Sequence, residues 1–434
     1  MDRRDFLKAA AFAGMAVSSP AMIMRGVSRA SEQQSVNGPL VVFVQAVGGW
    51  DPTSLCDPKG RENEEELDPM NWYFKDDILT AGNISYPSAY RNPAGQIIAE
   101  TGNHAFFSKW YDKLMVLNGV DTSTNGHDSG RRFTASGKLQ EGYPALGALV
   151  AAINAAQAPM SFVTNGGYDY TAGLVAPTRV GNTTAMTQLA FPNRIDPTNE
   201  NSTYHTDETW ERIQKFRKER NDEMLGKPEL PIRKQKRARL FDTRVGTNQL
   251  KQLSEYLPQL DNSNNPLRRQ AQLAIAAYKA GIAASANLAT GGFDTHGDHD
   301  NRQFNALRRF TEGVDFLMDE AERQGVADDI VVVMGSDFGR TPGYNMNNGK
   351  DHWSITSMML MGKGIPGNTV YGATTHGHVP LTVNPDSLEL DPSGIRLTPE
   401  HVHVALRKLT GIYGHELEQL FPIAAETLPF FDEG

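Results

Sequence analysis

Four short segments place carboxylates and imidazoles where they could hold a metal ion. In Gly48-Gly49-Trp50-Asp51, two glycines after an apolar run allow a sharp turn that presents Asp51. The segment 291–299 (GGFDTHGDH) packs Asp294, His296, Asp298 and His299 into six residues, a density that suits a divalent cation. Asp337 and Arg340 follow the run DIVVVMG, adding one carboxylate and one guanidinium. In Lys350-Asp351-His352-Trp353, the adjacent Asp and His can supply a ligand and the partner that orients it. A fifth, weaker segment carries Thr122, Thr124, His127, Ser129, Arg131 and Arg132, the hydroxyls and cations that a nucleophile with an anion clamp would need. Each segment alone reads equally well as turn chemistry, with Ser129 as a helix N-cap and His127 as a loop residue. Their recurrence after strands is what points to a shared metal site.

Those segments need a scaffold that gathers strand ends. Apolar, β-branched runs predict strands at 39–47, 114–118, 160–164, 283–290, 329–335 and 357–361, while helical spacing covers 145–156, 266–280 and 303–324. The alternation implies an α/β sandwich with a mostly parallel central sheet, in which ligands bind outside the carboxyl ends of the strands. Two polar stretches, 57–102 and 168–260, are expected as insertions, and the basic run 233–237 within the second as a solvated helix face.

The chain of 434 residues, 39% hydrophobic and 21% charged, has the composition of an ordinary globular protein. A net charge of −9 disfavours a nucleic-acid partner, and the single cysteine, Cys56, excludes an internal disulfide framework and a cysteine-based zinc cluster. Residues 1–30 read as a twin-arginine export signal: Arg3-Arg4 before Asp5, Phe6, Leu7 and Lys8, a mildly apolar stretch, then Ser28-Arg29-Ala30 as a cleavage site. That stretch is too short and too diluted by Ser, Pro and Gly to span a membrane, so the mature chain is expected to be soluble. The expected partner in export is the twin-arginine translocase, and the expected destination is the periplasm or the cell exterior.

The order of the twin-arginine signal, GGWD, GGFDTH, VVVMGSDFGRTP and GKDHW resembles an exported bacterial family, known only as a domain of unknown function, within the alkaline phosphatase and sulfatase superfamily. The resemblance implies one alkaline-phosphatase-like three-layer α/β domain over 31–434. It also implies a centre of one or two divalent cations, Zn, Mn or Ca, held by Asp51, Asp294, His296, Asp337 and His352. The superfamily's nucleophile, at a helix N-terminus, would be Ser129, Thr122 or Thr124, with a water as the alternative, and Arg131 or Arg340 would hold a non-bridging oxygen. Phe338 stands where the superfamily's phosphatases carry a histidine, which takes a ligand from a second metal site. Cys56 lacks the context that sulfatases convert to formylglycine. The implied activity is hydrolysis of a small phosphate or related anionic ester; the alternative is a non-catalytic, metal-binding surface or assembly protein with the same fold.

Overall fold

Leu40–Ala46 (LVVFVQA) is buried along its whole length because a β-branched run of this kind is stable only with both faces covered. It forms strand β1. The computed structural model describes residues 36–66, 68–179, 191–196, 199–230, 233 and 247–431. The export signal at 1–30 and most of the basic run, 234–237, lie outside the described residues.

After β1, an insertion holds two hairpins, β2 (Ile78–Ala81) with β3 (Ile84–Pro87) and β4 (Ala89–Arg91) with β5 (Ile97–Glu100). There follow β6 (Leu114–Asp121), β7 (Phe162–Thr164), β8 (Pro177–Arg179), β9 (Ser285–Thr290) and β10 (Ile330–Ser336). The last strands are β11 (Gly339–Arg340), β12 (His352–Trp353), β13 (Ile355–Gly362) and β14 (Thr369–Tyr371). Eight of them form the central sheet in the order β14-β6-β13-β10-β1-β9-β7-β8. All neighbours are parallel except β13, which runs antiparallel to both β10 and β6, so the sheet is mixed.

Among the described residues the helices are α1 (Asn103–Trp110), α2 (His127–Ser136), α3 (Leu146–Asn154), α4 (Asp207–Gly226), α5 (Thr247–Tyr256), α6 (Pro266–Lys279), α7 (His299–Gln324) and α8 (Pro399–Leu409). Side chains alternate between the faces of β1 and divide the core in two. Leu40, Val42 and Val44 pack with Leu273 and Ala274 of α6 and Phe304, Leu307 and Phe310 of α7. Val41 and Phe43 pack with Leu146, Leu149 and Val150 of α3 and Val402 and Leu406 of α8. The result is an alkaline-phosphatase-like three-layer sandwich with long insertions.

The six expected strands and three expected helices are present, and α7 begins earlier than its apolar spacing suggested, at His299 rather than at 303. Among the described residues no helix is long and apolar enough to cross a membrane.

Candidate metal centre

The carboxyl ends of β1, β9, β10 and β6 meet at one edge of the sheet, and each delivers one of the expected segments. His352 reaches the same edge by a different route. Because β13 is antiparallel, its N-terminal end lies there, and β12 just before it pairs with β11 so that His352 faces Arg340. Two glycines permit the close approach of these segments. Gly49 has φ +86, and a Cβ there would lie 2.7 Å from the Phe338 ring; at Gly130 in α2 a Cβ would lie 2.1 Å from the Asp337 carbonyl oxygen.

Asp294 is the hub of the site. Its Oδ1 lies 3.0 Å from His296 Nε2 and 3.2 Å from His352 Nε2, and those two nitrogens are 3.0 Å apart. His127 Nε2 lies 3.6 Å from Asp294 Oδ2. His127, Asp294 and His352 each offer one ligand atom within 4.8 Å of the others.

The tautomers follow from the other ring nitrogens. Nδ1 of His352 is 2.8 Å from the Asn125 carbonyl, Nδ1 of His296 is 2.7 Å from Asp351 Oδ1, and Nδ1 of His127 is 2.8 Å from Asp337 Oδ2. A carbonyl and an ionised carboxylate only accept, so each Nδ1 carries a proton, and a ring in its neutral form turns a bare Nε2 lone pair toward Asp294. Burial would raise the Asp294 carboxyl, but the hydrogen bond and charge of the Arg340 guanidinium hold it below the ordinary carboxylate range, so it is ionised at neutral pH. Burial lowers the pKa of His352, which keeps its ring neutral.

Imidazole lone pairs and a carboxylate crowded to 3.0–3.2 Å repel one another unless a positive charge sits among them. Ligands bound about 2.0–2.2 Å from a tetrahedral ion lie roughly 3.3–3.6 Å apart, close to the observed edges. Each Nδ1 is fixed by a carboxylate or carbonyl, the usual second layer around a metal-bound histidine. The donor set therefore fits a divalent cation. Asp294 is half exposed, so the centre opens to solvent.

Asp337 holds His127 rather than facing Asp294. Its Oδ2 takes the His127 Nδ1 proton and the Gly48 N–H at 3.1 Å, and its Oδ1 the Gln45 amide at 3.3 Å. Burial raises the Asp337 carboxyl, against the pull of His127 and Arg131.

The structure does not bring Asp51 to this group. The carboxylate is fully buried; Oδ1 accepts from the Thr53 N–H (2.9 Å) and hydroxyl (2.7 Å), and Oδ2 from Lys350 Nζ (2.7 Å) and His299 Nε2 (3.0 Å). A carboxylate has about four acceptor sites, and all four are occupied. Burial would raise this carboxyl, but Lys350 and His299 hold it far below the ordinary carboxylate range.

Arg340 is likewise internal. It donates to the carbonyls of Gly48, Gly49 (2.9 Å) and Lys350 (3.0 Å) and to Asp294 Oδ1 (2.9 Å), which leaves it as a brace rather than an open clamp. Arg131 is partly exposed, with its NH2 on Asp128 at 2.6 Å and its Nε 3.9 Å from Asp337. The N-cap of α2 is Gly126, not Ser129, and His127 is the first helical residue rather than a loop residue. The Ser129 hydroxyl bonds to Thr124 Oγ1 (2.7 Å) and the Gly126 carbonyl (3.0 Å). Thr122 is buried and donates to the Ser354 carbonyl at 2.9 Å.

A model of the family described as protein of unknown function (DUF1501) matches residues 39–386. The chain belongs to that family. No curated protein matches the sequence. Among solved structures, the chain is similar to a phosphonate monoester hydrolase of Agrobacterium radiobacter, at 12% identity over 91% of this chain and 77% of that one, with a TM-score of 0.37. It is also similar to the PsFucS1 sulfatase from Pseudoalteromonas sp., at 9% identity over 91% and 70% of the two chains, with a TM-score of 0.37. A third is the lipoteichoic acid synthase LtaP from Listeria monocytogenes, at 9% identity over 90% and 76%, with a TM-score of 0.35.

In this DUF1501 member, the sequence left two participants unassigned as such: His127 as a candidate ligand and Lys350 as the partner of Asp51. His127 carried a usable signal, an imidazole at the start of a helix that follows a sheet strand. Lys350 carried none, since a lone lysine in a polar loop ordinarily stays in solvent.

Proposed function

We propose that the chain is an exported, metal-dependent hydrolase of phosphate or related anionic esters. The observation that carries this reading is the convergence of three imidazole Nε2 lone pairs on the ionised Asp294 carboxylate at the open edge of the sheet. Asp294, His296, His352 and His127 would hold the ion, with Asp351, Asp337 and the Asn125 carbonyl fixing the rings. A divalent cation there would screen the charge of the ester oxygens and lower the pKa of a hydroxyl or water.

The chain's own groups supply the rest. The N-terminus of α2 directs backbone N–H groups and the positive end of its dipole toward an anion at His127. Arg131 is the cation placed to hold a non-bridging oxygen, because its pair with the exposed Asp128 is of the weak surface kind and gives way to a better anion. Ser129 is the proposed nucleophile, with Thr124, its hydrogen-bond partner, or a water as alternatives. The second reading, a non-catalytic metal-binding protein, rests on the Ser129 hydroxyl bonding to Thr124 and a carbonyl rather than to a base.

Assay of the purified chain, stripped with chelator and reloaded with Zn, Mn or Ca, against an aryl phosphate, a phosphodiester and an aryl sulfate tests these readings. Chelation is expected to lower the melting temperature, since an ion bound only by the native state stabilises it by mass action. Metal binding with no turnover on any ester selects the non-catalytic reading, and no stoichiometric metal sinks both. For export, the Arg3→Lys, Arg4→Lys variant is expected to remain in the cytoplasm uncleaved, and normal export of that variant refutes the signal.

A further inference from the structure

Lys350 is fully buried two residues before His352, and its ammonium bonds to Asp51, Asn71 and Thr53 rather than to a candidate ligand atom. Its Nζ lies 2.7 Å from Asp51 Oδ2, 2.8 Å from Asn71 Oδ1 and 3.4 Å from Thr53 Oγ1, with the Tyr344 ring 5.2 Å away. Carboxylate, amide carbonyl and hydroxyl oxygens are the donors a hard divalent cation takes. His299 closes the cage by donating to Asp51 Oδ2 from Nε2, while its Nδ1 meets the Thr295 hydroxyl at 2.8 Å. The cage thus has the composition of a cation site, and its occupant is an ammonium on a tether.

The tether ends among the ligands. The Lys350 N–H donates to the Thr295 carbonyl at 3.1 Å, between Asp294 and His296, and the Lys350 carbonyl accepts from Arg340, which also grips Asp294. The next two residues are Asp351, which fixes His296, and His352 itself.

We propose that the Lys350 ammonium is a built-in cation that takes the place of a second metal ion at Asp51, leaving the centre to a single ion at Asp294, His296, His352 and His127. The inference rests on the metal-centre reading above. An ammonium so seated fills the oxygen cage, occupies the last acceptor site of Asp51 and repels any further cation there. It also draws the 350–352 loop inward, so Lys350 acts as a positioning residue for Asp351 and His352.

Counting ions tests the inference. The full chain is stripped with chelator and titrated with Mn2+ by calorimetry, with elemental analysis of the product. One equivalent is expected for the wild type. Two equivalents overturn the built-in cation and leave the metal centre standing, whereas none overturns the metal centre itself. Lys350→Ala is expected to bind a second equivalent of Mn2+, or to regain thermal stability with ethylammonium, and to bind the first ion at least tenfold more weakly than the wild type. One equivalent at wild-type affinity, with no effect of ethylammonium, overturns the inference. Where Lys350→Ala is recovered unfolded, refolding is repeated with Mn2+ or ethylammonium present: recovery by either supports a vacated cation site, and recovery by neither overturns it.

Discussion

At Asp294 four groups share one carboxylate, and the order of their importance is measurable. His352→Ala removes a proposed ligand and is expected to abolish stoichiometric metal. Asp351→Asn leaves the ligand in place and only loosens the hold on His296, a change that typically costs about 10–100-fold in metal affinity. Competition of each variant against a chelator reads the two losses, and equal losses would mean that Asp351 is itself a ligand. Ser129→Ala is expected to remove most turnover while lowering stability by about 1 kcal/mol, the usual worth of the hydrogen bond it deletes. Retained turnover would move the nucleophile to Thr124 or to water.

At the level of elements, the site exists because α2 docks on the end of β10. Gly130→Ala would drive a methyl to 2.1 Å from the Asp337 carbonyl, so α2 must shift, His127 with it. A loss of about 1–3 kcal/mol in stability is expected, as for other overpacked contacts, together with weaker metal binding; chemical denaturation and calorimetry give the two numbers. Much of this arrangement was legible in the sequence. β1 and β10 announced themselves as near-continuous β-branched runs, and the Asp/His segments drew notice by recurring after strands, since each alone reads equally well as turn chemistry. Other parts carried no local signal. The antiparallel sense of β13 looks the same in sequence as a parallel strand, yet it decides that His352 reaches the centre. Asp51 looked like a metal ligand because a strand-end carboxylate offers four acceptor sites, and only the fold shows that Thr53, His299 and Lys350 occupy them. The exposed α4 lies in a polar insertion, where apolar spacing is too sparse to mark a helix, and α1, just after the first insertion, is only eight residues long.

For the molecule as a whole, buried histidines set the response to acid. Burial lowers the pKa of His299 to about 4 against the pull of Asp51, and that of His403 to about 4 against its bond to the Thr134 carbonyl. Unfolded, both would titrate near 6.5. Between these values the unfolded chain binds more protons than the native one, so the stability these neutral rings preserve is full above pH 6.5 and is lost as the pH falls toward 4. Asp300 works in the opposite sense: burial raises its carboxyl to about 6, so its protonation below that value favours the native state and offsets part of the loss. Denaturant unfolding of the metal-free chain from pH 7 to 4 is expected to show falling stability, with a slope approaching 1.4 kcal/mol per pH unit for each net proton taken up. A flat profile would mean that these rings are protonated in the native state.

The central place of β1 has a consequence for how the chain is made. Its neighbour β10 lies so far along the sequence that Ser336 donates to the carbonyl of Ala46 across 290 residues, and β9 on the other side is little nearer. The first strand to leave the ribosome is therefore among the last to find its partners. During that interval an uncharged segment, LVVFVQA, has both edges open, which is the profile of a sticky nascent chain. Synthesis is expected to engage holding chaperones early and release them only when residues beyond Ser336 emerge. Ribosome-bound fragments ending before and after β10 would show this as a step in protease resistance, with assembly completed by the late-arriving half of the sheet.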